Sequence, residues 1–255
     1  MEDPLTEDPP PSRFFDEDLN NFTPQSPPLS SPSILLSNPK TPMNPSPSLL
    51  IIALSSPSIH LLHQIPSKTL IGTLILPEIT INNTPIENPS PKDKSCYIYS
   101  LKDIVLVSVQ YSVSAERSHA VAKCLFECIG AEKVLILDSV QSQNFRGRLP
   151  PDEELMFKLE TAEERCSEEM IVKGVDYFPS GSLIDGLGAS FLARCQMKKL
   201  RATLCVSWPE SGRYAVSKVK SVLEELLPEV KFNVSGSDLG FYRIKNSRFN
   251  SELYT

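Results

Sequence analysis

The sequence predicts an α/β fold: a single-domain α/β sandwich with a central mixed sheet flanked by helices, preceded by a disordered proline-rich tail. Three observations carry this. The runs at 104–110, 134–137 and 202–207 are apolar without alternation, as strands buried on both faces are. Between and after them lie segments whose apolar residues recur every three or four positions, the helical period. Finally, 12 of the 23 prolines fall within the first 48 of 255 residues. Alternation of strand and helix patterns is the signature of a layered α/β domain.

The elements follow in chain order. Residues 1–48 are rich in Pro and Ser and hold seven acidic against two basic residues. They carry −5 of the net charge of −6, so the body is close to neutral. Such a segment buries too little surface to offset the entropy of ordering, and is expected to be disordered. Phe14, Phe15, Leu19 and Phe22 read as incidental there. Thr23, Ser26, Ser31, Thr41 and Ser46 each precede proline, which permits proline-directed phosphorylation. The ordered domain is expected over 49–248, with 249–255 as a flexible docking tail.

Residues 49–54, 59–65 and 69–76 read as three hairpin-connected strands separated by Ser-Pro and Pro-Ser breaks. Residues 82–95 read as a surface loop, and 97–101 and 104–110 as strands. A helix is expected over 114–129 on the spacing of Ala115, Ala122, Leu125, Phe126 and Ile129, closed by Gly130. With the strand 134–137 it completes a βαβ unit. The stretch 139–151 is a polar loop with Arg146 and Arg148. A strand at 155–159 and a charged, exposed helical turn over 162–170 follow. A helix is expected over 182–198, with Ser182 and Asp185 spaced like a capping box and Leu183, Leu187, Phe191 and Cys195 as its apolar stripe. After the strand 202–207, a helix over 212–227 presents Val216, Val219, Leu223 and Leu226 and stops at Pro228. Residues 232–234 and 241–244 read as edge strands.

Composition excludes several functions. A near-neutral body without a Lys/Arg cluster lacks the footprint of a nucleic-acid binder, and no apolar run is long enough to span a bilayer. The acidic, proline-broken start does not resemble a secretory signal. The six cysteines therefore read as reduced thiols of a cytosolic protein. Phosphate-binding loops, nucleophile elbows and zinc-protease motifs are missing.

Gly181, Gly186 and Gly188 resemble a phosphate cradle, but Gly186 and Gly188 are expected a turn inside the helix, where close packing explains them better. His60 and His63 are expected on opposite faces of a strand and His119 at a helix edge; each reads as structural, with no metal ligation. Cys124 and Cys128 read as small core residues on the packed face of a helix. Asp138, at a strand's carboxyl end, is the one position an α/β enzyme would favour for a catalytic carboxylate. Asp152, Glu153 and Glu154 read as a solvated loop. No catalytic, cofactor or metal site is assigned. The sequence closes on Leu253, Tyr254 and Thr255 after a polar stretch. A carboxylate preceded by an aromatic and an aliphatic residue is a compact docking tag, suited to a pocket holding a lysine.

Several blocks together resemble the proteasome assembly chaperone 1 family, in a plant form. They are Tyr177-Phe178-Pro179-Ser180-Gly181-Ser182-Leu183-Ile184-Asp185-Gly186-Leu187-Gly188-Ala189, the stretch 155–161, the strand 134–138 and the final Leu253-Tyr254-Thr255. The resemblance covers 49–255. It implies a non-enzymatic chaperone that forms a heterodimer with a second proteasome assembly chaperone. The pair binds the outer face of the proteasome α-subunit ring during assembly of the 20S core particle. Leu253, Tyr254 and Thr255, as the hydrophobic-Tyr-X ending, would insert between neighbouring α subunits. It also implies a nucleoside-phosphorylase-like sandwich without that active site, no cofactor, and a location in the cytoplasm with the nucleus as an additional compartment. The alternative is a nucleosidase-like α/β enzyme acting on a small ligand, with Asp138 as acid or base and the loops 139–151 and 178–186 around it. A third reading is a phosphorylation-regulated scaffold working through residues 1–48.

Overall fold

A computed structural model describes residues 30–36, 46–78, 94–150, 153–209, 213–230 and 232. The chain divides into a unit Met1–Ser31 and a unit Pro32–Thr255 that holds all the elements below. In order these are β1 (Ser33–Leu36), β2 (Leu49–Ala53), α1 (Ser56–Gln64), β3 (Thr69–Ile75), β4 (Cys96–Leu101), β5 (Ile104–Val109) and α2 (Ala115–Cys128). Next come β6 (Lys133–Ser139), a 3₁₀ turn (Ser142–Asn144), β7 (Leu155–Glu160), α3 (Ala162–Arg165), β8 (Asp176–Tyr177), α4 (Gly186–Met197), β9 (Arg201–Trp208) and α5 (Arg213–Leu226).

The strands form one nine-stranded sheet ordered β1-β3-β4-β5-β2-β6-β9-β7-β8. Its centre, β5-β2-β6-β9, is parallel. The β3, β4 and β7 pairings that extend this centre are antiparallel, so the sheet is mixed as expected. Every residue of β2 is buried. Leu50 and Ile52 face one side with Val134, Ile136, Phe126 and Phe191. Leu49, Ile51 and Ala53 face the other with Leu61, Leu62, Val219 and Leu223. Helices α2 and α4 therefore cover one face and α1 and α5 the other, a three-layer sandwich with the continuous apolar strands at its middle. Strand β5, helix α2 and strand β6 form the expected βαβ unit, with β2 seated between the two strands.

Four local expectations are corrected. Residues 59–65 are not a strand: α1 spans Ser56–Gln64. Ser55 caps it, Ser58 Oγ donates to the Ser55 carbonyl at 2.8 Å, and Pro57 sits in the first turn, where a missing N–H costs nothing. The aliphatic residues Ile59 and Leu62 stand one turn apart, so the run fits a helix as well as a strand. Second, β1 lies inside the segment expected to be disordered. Ile34, Leu35 and Leu36 make an aliphatic run between prolines, and β1 pairs antiparallel with β3.

Third, the expected helix over 182–198 starts at Gly186. Ser182 Oγ accepts the Arg146 N–H at 2.8 Å instead of capping, and Leu183 donates its N–H to the Asn144 carbonyl at 2.8 Å. Leu183 is thereby drawn off the apolar stripe and is 70% exposed. Fourth, the charged turn over 162–170 is helical only over Ala162–Arg165, and its Glu164 is fully buried. Glu164 accepts from the Ile171 N–H and, at 2.9 Å, from Arg201 Nε. Phe232 is buried but lies in no strand. The expected strand over 241–244 and the docking residues Leu253, Tyr254 and Thr255 lie outside the described residues.

Candidate functional site

Strand β7 reads Leu-Met-Phe-Lys-Leu-Glu, and its burial alternates. Met156, Lys158 and Glu160 point to the buried side, while Phe157 and Leu159 lie on the opposite face. Two charges on a buried strand face must be paired to be tolerated. Lys158 Nζ lies 2.7 Å from Glu160 Oε1 and donates to the Val172 carbonyl at 3.0 Å.

The other carboxylate oxygen of Glu160 receives the Tyr177 hydroxyl at 2.6 Å. Burial works to raise the Glu160 pKa; the hydrogen bonds from Lys158 and Tyr177 and the charges of Lys158 and Arg165 outweigh it, holding the carboxyl below its usual range. The bond to Glu160 is also the main reason the Tyr177 hydroxyl is raised. The Tyr177 ring, 51% exposed, is thus fixed at the sheet edge. The Lys158 ammonium sits 5.1 Å and the Arg165 guanidinium 5.8 Å from its centroid, both within cation–π range.

Beyond Tyr177 the chain turns through 178–185. Phe178 N–H donates to the Lys158 carbonyl at 3.0 Å, and the Phe178 ring joins Phe145 and Phe157 in a triad with centroids 5.5 to 5.9 Å apart. Gly181 has φ +86°, a left-handed conformation that favours glycine, and a Cβ there would stand 2.7 Å from the Arg146 side chain. The loop 140–150 is thereby clasped to the loop 178–184. Trp208 Nε1 anchors the first loop's far end by donating to the Pro150 carbonyl at 2.8 Å. Leu159, Arg165, Tyr177, Phe178, Gly181 and Ile184 line an open concavity of about 540 Å³, which Pro179, Ser180 and Ser182 complete. No carboxylate is among its lining residues.

The other candidates are placed as follows. Asp138 is the last residue but one of β6, and its Oδ1 accepts the Ser139 N–H at 2.8 Å. A Cβ on Gly188 would come within 2.5 Å of its Oδ2, so Gly188 admits the Asp138 carboxylate against the first turn of α4. Gly188 thus serves close packing, at the helix start rather than a turn inside, whereas a Cβ on Gly186 would meet no atom within 4 Å: that glycine supplies the left-handed φ of +67° at the first residue of α4. His60 and His63 share α1, three residues apart, so the expectation of opposite faces is corrected. His60 contacts Gln64 at 2.9 Å, and His63 contacts Gln110. His119 is exposed on α2. Among the described residues no group of three metal-binding side chains assembles.

Cys124 is half-buried and donates to the Pro32 carbonyl at 3.4 Å, whereas Cys128 is exposed rather than packed. Burial pushes the thiols of Cys96, Cys195 and Cys205 up to about 12. Sequence reasoning missed the Lys158–Glu160–Tyr177 cluster. Its signal was a Lys and a Glu on the same strand face as Met156.

No family model and no curated protein sequence matches this chain. Solved structures do. The crystal structure of Pyrococcus furiosus PbaA, an archaeal homolog of proteasome-assembly chaperone, superposes with a TM-score of 0.59 at 17% identity, over 82% of this chain and 86% of that one. Pyrococcus furiosus PbaB, an archaeal proteasome activator, gives 0.54 at 14% identity over 82% and 93%. A protein of unknown function from Thermoplasma acidophilum gives 0.54 at 14% identity over 75% and 79%. The chain has the fold of these proteins.

Proposed function

We propose that this chain is a non-enzymatic chaperone of 20S proteasome assembly, a plant proteasome assembly chaperone 1. In this reading it pairs with a second assembly chaperone and binds the outer face of the α-subunit ring in the cytoplasm and nucleus. The observation that carries the reading is the shared fold across 82% of the chain with an archaeal homolog of proteasome-assembly chaperone. It is supported by the Tyr177–Ala189 block, which builds the loop clasped to 140–150, and by the ending Leu253-Tyr254-Thr255. A three-residue plug contributes modest affinity, so a second contact surface must act with it.

The test is affinity purification of the tagged full chain from its own cells, followed by mass spectrometry. Proteasome α subunits with one chaperone-like partner are expected. Deleting Leu253–Thr255 should lower α-subunit recovery while the melting temperature stays unchanged. Full recovery by the truncated chain would remove the docking role from these three residues. Saturable nucleoside binding in calorimetry, with no α subunits recovered, would favour the nucleosidase-like alternative.

A further inference from the structure

We infer that the concavity at the β8 edge is a docking site for an acidic peptide segment of a partner protein, in which apolar side chains alternate with carboxylates. This rests on the site's own chemistry and not on the proteasome reading.

Charge complementarity carries it. Arg165 is the one charged residue of the lining, and Arg146 lies against the rim at Gly181. Neither guanidinium enters an ion pair among the described residues, although seven other cationic side chains of the domain do: Lys102, Arg117, Lys123, Lys133, Lys158, Arg201 and Lys220. The buried Glu160 of β7 is already bonded to Lys158 and Tyr177. The concavity therefore offers a fork-shaped donor in Arg165, stacked on Tyr177, with a second in Arg146 beside the rim, and such forks favour carboxylate over a point charge.

The apolar half of the occupant follows from what is left uncovered. Tyr177, 51% exposed, lines the concavity with Phe178 and Ile184, and Leu183, 70% exposed, stands in sequence between the lining residues Ser182 and Ile184. An aromatic face and a leucine so displayed contribute little to folding and are what a docking surface presents. The surface is also preorganised. Tyr177 is held by Glu160, Ser182 by the Arg146 N–H, and Leu183 by the Asn144 carbonyl. Less ordering entropy is then lost on binding. Two arginines without a further cationic array do not suit a nucleic-acid backbone, which needs many phosphate contacts. The concavity is open at a sheet edge, so a segment can pass through it instead of being enclosed.

The test uses the purified full chain and fluorescein-labelled short peptides in anisotropy titrations. One peptide alternates glutamate with phenylalanine and leucine, a second replaces glutamate by lysine, and a third replaces the apolar residues by serine. The first should bind saturably, weaken as salt rises, and exceed the other two by at least about tenfold, the loss of one charge-assisted contact. Arg165→Glu and Arg146→Glu should each lower its affinity about tenfold and gain the lysine peptide. Leu183→Ser should weaken the first peptide without altering its salt dependence. Unchanged circular dichroism separates these losses from misfolding. The proposal is overturned by equal binding of the lysine peptide, by no saturation at millimolar peptide, or by wild-type affinity in the folded Arg146→Glu/Arg165→Glu double variant. It is also overturned if the chain self-associates in sedimentation and Leu183→Ser abolishes that, for then the occupant is a second copy.

Discussion

Replacing Lys158 by Met tests whether the charged pair on β7 holds the edge together. Lys158 is 4% and Glu160 7% exposed, so Lys158→Met leaves a carboxylate with no ammonium in a dry place. The charge cost has a ceiling because the carboxyl can take a proton. Starting from an ordinary value of about 4.3, protonation at pH 7 costs about 3.7 kcal/mol. The Val172 carbonyl, which accepted from Lys158 at 3.0 Å, also loses its donor. The expected loss is about 3–5 kcal/mol, the range seen when one partner of a buried pair is removed. In urea unfolding that lowers the midpoint by about 1–2 M.

The sign of the pH dependence then inverts. In the wild type Glu160 lies below its unfolded value, so its stabilisation is present above about pH 4.5 and lost as pH falls through the folded pKa. In Lys158→Met the folded pKa lies above the unfolded one, so the variant gains stability relative to wild type from pH 7 towards pH 5. Adding Glu160→Leu should restore most of the loss, since a buried pair replaced by apolar groups is near neutral. A Lys158→Met loss below about 1 kcal/mol, or a double variant no more stable than the single, refutes the reasoning.

Three further outcomes are expected. Gly188→Ala puts a Cβ 2.5 Å from Asp138 Oδ2, so it should cost about 1–3 kcal/mol by overpacking; with Asp138→Ala present the cost should vanish, and equal costs in both backgrounds would count against the contact. Gly72→Ala would set a Cβ 2.9 Å from the Leu35 carbonyl oxygen, so hydrogen exchange at β1 amides should quicken while the β2 amides stay protected; unaltered exchange at β1 would contradict the close approach. Iodoacetamide at pH 8 should label exposed Cys128 and Cys166 first and half-buried Cys124 slowly, whereas Cys96, Cys195 and Cys205, raised to about 12, should react only after denaturation, as read by peptide mass spectrometry.

The parallel centre was legible because its strands are buried on both faces, which leaves an unbroken apolar run in the sequence. Helices α2 and α5 were legible because one apolar stripe sets their period. What failed was set by contacts between distant segments or by patterns that fit two structures. Ser55 to Ile65 carries both a helix cap and a strand-like aliphatic run, and packing against β2 and α5 decides between them. The four residues of β1 vanish into the average of a proline-rich tail. The start of α4 depends on Arg146 and Asn144, some forty residues upstream in sequence, which take Ser182 and Leu183 out of the helix. The concavity was illegible for the same reason. Its loop was quoted for its resemblance, but Lys158, Glu160 and Arg165 meet Tyr177 only through the β7–β8 pairing.

That pairing also explains why this edge recognises by side chains. A long open edge strand invites another strand to add, a hazard that short edge strands suppress. Strand β8 has two residues and then turns at Phe178 and Pro179, so little backbone is available for a partner's ladder. Affinity at such an edge must come from groups that project from it, and those groups need fixed positions. The buried Lys158–Glu160 pair supplies this: it is costly to desolvate, yet it fixes the one ring that Arg165 overlies. Removing the pair in favour of apolar residues would leave the fold near its original stability while releasing Tyr177 from its acceptor. The charged pair is therefore better explained by the orientation of the docking surface than by the stability of the sheet beneath it.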